Sequence, residues 1–230
     1  MGILIAIDGV DASGKQTQSQ LVYEKLKAAG IDVRLISFPA YDSDSSVLVK
    51  MYLNGEFGSR PEDVNAYAAS TFFAADRFAS YRRDWKKSYD DGAVIIADRY
   101  VQSNMIHQAS KLKQDEKKQF IDWLYDLEYR VYELPQPDIT VFLDMPPQKA
   151  AELMAERANK IDNSATKDIH ERSSAYLQAS YDNALSIAQA FGWKKVSCTY
   201  GENIRTIEDI NDEIMVIVTD VIHDKKISAP

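Results

Sequence analysis

The run Gly9-Val10-Asp11-Ala12-Ser13-Gly14-Lys15 has the residue types and the spacing of a loop that wraps phosphate. Its glycines let backbone N–H groups converge on an anion, a helix starting there adds partial positive charge, and the lysine adds a full one. Such a loop needs a strand before it and a helix after it. The chain supplies both: a β-branched apolar stretch at 3–7, then helical spacing of Leu21, Tyr23, Leu26 and Ala29 from Gly14 onward, stopped by Gly30. Strand, spacing, lysine and helix agree, which sets the run apart from an ordinary glycine-rich turn. One position departs from the pattern. The residue after the lysine is normally Ser or Thr, whose hydroxyl reaches magnesium, whereas here it is Gln16, with Thr17 behind it. A cation would then rest on phosphates, water and carboxylates. Asp11 is a candidate, because a negative side chain among phosphate binders needs a cation or a substrate hydroxyl to face; a cap on the turn is the plainer alternative.

Two further groupings could read a flat ligand and its charge. Phe73 and Arg77 are four apart, so on a helix they share a face, an aromatic plate beside a planar hydrogen-bond fork. Asp98 and Arg99 close a β-branched run, and ligands of doubly wound sheets bind at such carboxyl ends. The plainer readings are a core phenylalanine near a surface arginine and a strand-end ion pair. Asn159-Lys160-Ile161-Asp162 fits a string that reads guanine, but it follows a helical pattern where that string should close a buried strand, so the match is taken as chance.

These residues need elements to hold them. Strands are expected at 3–7, 33–36, 94–96, 139–143 and 195–197, with helices at 14–29, 62–87, 115–134, 147–158, 168–191 and 207–222. That alternation implies right-handed crossovers and a mostly parallel sheet covered on both faces. Segments 39–46 and 159–167 are polar and turn-rich, the pattern of loops that close over a ligand.

The 230 residues, 45% hydrophobic and 27% charged, suit one globular domain with an ample core. With 27 Lys+Arg against 35 Asp+Glu the net charge is -8, which argues against a nucleic-acid polymer or an anionic membrane as the main partner but not against a small anion in a local basic pocket. The opening MGILIAIDG lacks a secretory signal's basic start and length, and no apolar run approaches the ~20 residues of a membrane span, so the expected address is cytoplasmic. A single cysteine, Cys198, and three histidines scattered at 107, 170 and 223 make a zinc site unexpected.

The loop, Phe38-Pro39-Ala40-Tyr41, Phe73-Ala74-Ala75-Asp76-Arg77, Asp98-Arg99-Tyr100, the segment 137–144 and the segment 168–176 follow one another in an order that resembles the thymidylate kinase family over nearly the whole chain. The resemblance implies a P-loop NTPase fold, a three-layer α/β/α sandwich on a five-stranded parallel sheet with a short lid near 157–168, and transfer of the γ-phosphoryl of ATP to dTMP with Mg2+. It assigns ATP to Gly9, Val10, Asp11, Ala12, Ser13, Gly14, Lys15, Gln16 and Thr17. It assigns dTMP to Asp11, Phe38, Pro39, Tyr41, Phe73, Arg77, Arg99, Ser103, Asn104 and His107, with Phe73 stacking on thymine, Arg77 bonding a base oxygen, Asn104 reading the ring edge and Arg99 holding the acceptor phosphate. Asp11 and Asp98 would serve the metal. His107 departs from the family, which commonly has Tyr or Phe there against the ribose 2′ position. Ala12 stands where some members carry a loop arginine, so transition-state charge is expected from the lid, from Arg157 first and Lys160 second, with Lys167 nearby. A homodimer is implied by the resemblance alone. Kinases of other nucleotides or deoxynucleosides, a non-catalytic nucleotide-binding module and a GTPase-type switch are the rival readings.

Overall fold

Every residue of the first strand, β1 (Ile3–Gly9), is buried. In the computed structural model, which describes residues 1–160, 169–170 and 173–227, with side chains described for these except 155–160 and 226–227, β1 is the centre of a parallel sheet. After α1 (Lys15–Ala28) come β2 (Val33–Ser37), α2 (Val47–Leu53), α3 (Ala66–Ser80), α4 (Lys86–Asp90) and β3 (Val94–Asp98). Next are α5 (Val101–His107), α6 (Gln114–Tyr125), β4 (Ile139–Asp144), α7 (Pro147–Lys160), α8 (Ser174–Ala190) and β5 (Lys194–Ser197). The sheet order is β2-β3-β1-β4-β5 and every pairing is parallel. A small antiparallel hairpin, β6 (Thr199–Tyr200) with β7 (Asn203–Ile204), precedes α9 (Ile207–Ile227).

Successive side chains of a strand point to opposite faces, so a strand covered on both sides reads as a continuous apolar run. Leu4 and Ala6 of β1 join Ile95 and Ala97 under Trp85, Tyr100, Phe120 and Leu124. Ile3, Ile5 and Ile7 join Val94 and Ile96 beneath Val22 and Leu26 of α1 and Ile214 and Val218 of α9. These two cores make the three layers, the α/β architecture of P-loop NTPases. Among the described residues no helix is long and apolar enough to cross a membrane.

Several expected boundaries move. The helix expected over 62–87 starts at Ala66, because Asn65 caps it by accepting from the Ala68 N–H, while Pro61 opens a separate 3₁₀ turn. It then passes through a π-helical turn, Tyr81–Trp85, into α4. The helix expected over 115–134 similarly ends α6 in a π-helical turn, Asp126–Val131. α8 begins at Ser174, capped by Ser173, rather than at 168. α2 and α5 are helices that the periodicity does not announce, each being only seven residues long. Of the lid expected at 157–168, residues 157–160 continue α7 and 161–168 lie outside the described residues. The side chains of Arg157 and Lys160, and Lys167 altogether, also lie outside them.

Candidate active site

β1 delivers its last residue, Gly9, against the loop that follows. A side chain there would meet Ser13 Oγ at 2.7 Å and the Leu143 carbonyl at 2.9 Å, so only glycine lets the chain turn this closely beside β4. The turn continues through Ala12 at φ 59° and Gly14 at φ 88°, and α1 starts at Lys15. Lys15 Nζ donates to the Val10 carbonyl at 2.6 Å. Burial, helped by nearby Arg99, pulls its pKa down to about 8. An ammonium so placed gains from any anion that enters the loop.

At the carboxyl end of β3, Arg99 adopts φ 65°, a left-handed conformation costly for a residue with a long side chain. That twist turns its guanidinium back over the phosphate loop, where Nη2 pairs with Asp11 Oδ1 while Nη1 lies 3.5 Å from Ser103 Oγ and 3.3 Å from His107 Nε2. Burial alone would raise the Asp11 carboxyl, but Arg99 overrides it and holds the group well below the usual carboxylate range. Asp98, 8% exposed, accepts from Ser37 Oγ at 3.2 Å. Behind them Asp8 is fully buried, fixing Ser103 through both carboxylate oxygens at 2.9 Å, and burial raises its pKa despite Arg99 and Lys15.

One open cleft is lined by all ten residues expected at the acceptor: Asp11, Phe38, Pro39, Tyr41, Phe73, Arg77, Arg99, Ser103, Asn104 and His107. Leu53, Gln108 and His170 complete it. A second cavity runs along Asp11, Ala12, Gly14, Lys15, Gln16 and Thr17 to Asp98 and Arg99. The two share Asp11, Phe38, Pro39, Tyr41 and Arg99, and of these Asp11 and Arg99 are the charged pair at the junction between an anion-binding loop and a half-apolar slot.

Residues outside the sequence reading hold the slot in shape. Arg77 is 1% exposed and gives Nε to Glu128 Oε2 at 2.9 Å and Nη2 to Oε1, with Nη1 3.4 Å from the Tyr100 carbonyl. Asn104 Nδ2 donates to the Ser70 carbonyl at 3.3 Å. Asp76 accepts from the Ala40 N–H at 2.8 Å and from Ser45 Oγ at 2.5 Å, tying the polar segment 39–46 to α3. The histidines are less scattered than the sequence implies: the His107 and His170 rings stack at 5.9 Å and 18°, and Tyr176 Oη donates to the His107 carbonyl at 2.8 Å.

A family profile described as Thymidylate kinase matches residues 7–211, which span every one of these groups. The chain belongs to the thymidylate kinase family. It is similar to the thymidylate kinase of Mycobacterium tuberculosis (strain H37Rv), 33% identical over 194 residues, 83% of this chain and 87% of the relative. The human thymidylate kinase is 27% identical over 221 residues, covering 96% and 92% of the two chains. A probable thymidylate kinase of Thermococcus onnurineus is 25% identical over 221 residues, covering 94% and 97%. Of the residues the sequence missed, Asp8 carries a local signal, a buried carboxylate directly after the apolar run Ile3–Ile7.

Proposed function

We propose that the chain transfers the γ-phosphoryl group of ATP to dTMP, giving dTDP and ADP. The observation that carries this reading is the junction at Asp11 and Arg99, where the anion-binding loop and the slot of ten acceptor residues meet. ATP phosphates would lie on Gly9–Thr17, held by loop N–H groups, the N-terminus of α1 and Lys15. The thymine would stack on Phe73, with Arg77 and Asn104 at its edge, while Arg99 holds the acceptor phosphate. A nucleoside lacking that phosphate would leave Arg99 without its anion, which favours a monophosphate acceptor.

No protein nucleophile is needed. An oxygen of the dTMP phosphate attacks the γ-phosphorus, the bond to the β,γ-bridging oxygen breaks, and ADP leaves; the protein contributes position and positive charge. Asp98 and Asp11 present carboxylate oxygens, the hard donors that suit Mg2+, in the cavity that also contains Gln16. Asp11 Oδ1 is taken by Arg99, so Asp98 would be the principal anchor. When bound, Mg2+ neutralises charge on the β- and γ-phosphates. Arg157 and Lys160 in a lid over 157–168 would add the remaining positive charge and exclude water. The same reading takes the chain as a single domain, a homodimer and a cytoplasmic enzyme.

The test is a coupled assay offering ATP and Mg2+ with thymidine, dTMP and a panel of other nucleoside monophosphates. ADP release with dTMP far above every other acceptor is expected. Turnover confined to a different acceptor overturns the substrate and leaves the fold standing.

A further inference from the structure

Asp11, His107 and His170 come from three separate stretches of chain, and each offers one possible ligand atom to a shared point, the three atoms lying within 4.8 Å of one another. Two imidazole nitrogens with one carboxylate oxygen are the donors of zinc and its first-row neighbours, whereas magnesium takes oxygen ligands. We propose that these three side chains form a site for a nitrogen-preferring divalent cation, Zn2+ or Co2+, and that its occupancy blocks the acceptor slot. The blocking half of the proposal rests on the acceptor reading above; the metal half does not.

The surroundings suit ligation. Both rings are nearly sealed, His107 at 5% and His170 at 6% exposure, and they are stacked, so little rotamer freedom is lost when a cation arrives. Burial also favours the neutral imidazole, the form that ligates. A ligating histidine usually turns its other ring nitrogen to a hydrogen-bond partner, and His170 Nε2 lies 2.9 Å from Tyr52 Oη, itself fixed by Lys111 Nζ at 2.7 Å. Asp11 meets Arg99 through Oδ1, which leaves Oδ2 for a cation.

Two features keep the site reversible. Ligands of a tetrahedral ion sit about 3.4 Å apart, so separations of up to 4.8 Å must shrink by up to about 1.4 Å. Arg99 Nη1, 3.3 Å from His107 Nε2, opposes a cation and has to swing toward Asp11 alone.

The experiment titrates the untagged, metal-free full chain with Co2+ and reads the visible absorption of ligand-bound cobalt. Bands saturating at one equivalent and bleached by Zn2+ are expected. His107→Phe and His170→Phe are each expected to lose them, while His223→Ala, an exposed position on α9, keeps them. His170→Gln, checked for native circular dichroism, gives the same readout should the Phe variant not fold. Absent bands in the parent chain overturn the proposal, as does their survival in the folded His107 and His170 variants or their loss in His223→Ala. In the second arm, dTMP displaces cobalt, and fixed free Zn2+ raises the apparent KM for dTMP with kcat unchanged until a chelator restores it. Bands that depend on His107 and His170 but ignore dTMP would overturn the blocking claim and leave the metal site standing. Displacement by dTMP in a chain that turns over only another acceptor would separate this result from the substrate assignment.

Discussion

Both carboxylate oxygens of Glu128 are bound by Arg77, through Nε at 2.9 Å and through Nη2, with the two side chains 0% and 1% exposed. Glu128 stands in the π-helical turn after α6, where an extra residue per turn re-aims side chains relative to the preceding helix. The pair clamps two guanidinium nitrogens, while Nη1 donates to the Tyr100 carbonyl at 3.4 Å and Arg77 lines the slot. Arg77 therefore arrives at that slot already oriented.

Glu128→Gln should expose how much of acceptor binding depends on this clamp. Removing one partner of a buried ion pair leaves an uncompensated charge and costs about 3–5 kcal/mol. The urea midpoint is expected to fall, the KM for dTMP to rise at least about tenfold, and the KM for ATP to stay near the parent value. Glu128→Asp, which keeps the charge, should recover part of both losses. An unchanged acceptor KM in steady-state assays would mean that Arg77 needs no clamp.

Lys15→Ala and Arg99→Ala remove the two cations nearest the junction of the cavities. Preorganised charge of this kind is worth a factor on the order of 10²–10³ in kcat. Each variant should fall by at least that much in the coupled assay, and Arg99→Ala should also raise the KM for dTMP. Rates near the parent enzyme's in either variant count against the proposed phosphoryl transfer.

Phe73→Ala tests the aromatic plate. Base stacking on an aromatic ring is worth about 1–3 kcal/mol by alanine substitution. Weaker dTMP binding by that amount in calorimetry, with ATP binding unaffected, is expected. Phe73 also packs edge-on against Tyr52 at 6.2 Å, so Phe73→Tyr should keep most of the affinity if stacking is the cause.

Lys111 gives the fold a pH signature. Burial lowers its pKa to about 7 from the usual 10.5, with Glu62 only partly opposing. Between those values the unfolded chain holds a proton that the folded chain lacks, so stability rises with pH across that window; below about pH 7 the cost of burying the charge is present in full. Lys111→Met abolishes this dependence. Its stability relative to the parent should therefore stay level below about pH 7 and decline from there toward about pH 10 in urea titrations. A difference that stays flat would show that the ammonium is fully solvated.

The phosphate loop was legible because local spacing carries it, whereas the acceptor residues came from the family resemblance, since spacing alone leaves Phe73 and Arg77 open to being a core phenylalanine beside a surface arginine. Gly9, Gly14 and Lys15 are close in sequence, so short-range geometry places them. Glu128 had no such mark, since its partner lies 51 positions away and a carboxylate in a helix ordinarily reads as solvent-facing. His170 escaped because nothing in its own neighbourhood says that it packs beside His107. The split of the helix expected over 62–87 did leave a sign, Asn65 ahead of an alanine-rich run, which the continuous apolar pattern outweighed. Asp76 could be placed in a motif, but its grip on Ala40 and Ser45 appears only once β2 and α3 lie side by side.

α9 lies along α1, with Asn211 Nδ2 donating to Gln18 Oε1 at 2.9 Å and Ile214 and Val218 packed in the same cluster as Val22 and Leu26. On a ribosome these partners emerge 193 residues apart. The central strand β1 must also wait for β3 and then β4 before both of its edges are paired. The nascent phosphate loop therefore has no finished scaffold until α9 has been made, and a chain cut before α9 would leave Val22 and Leu26 of α1 without the Ile214 and Val218 that pack in their cluster.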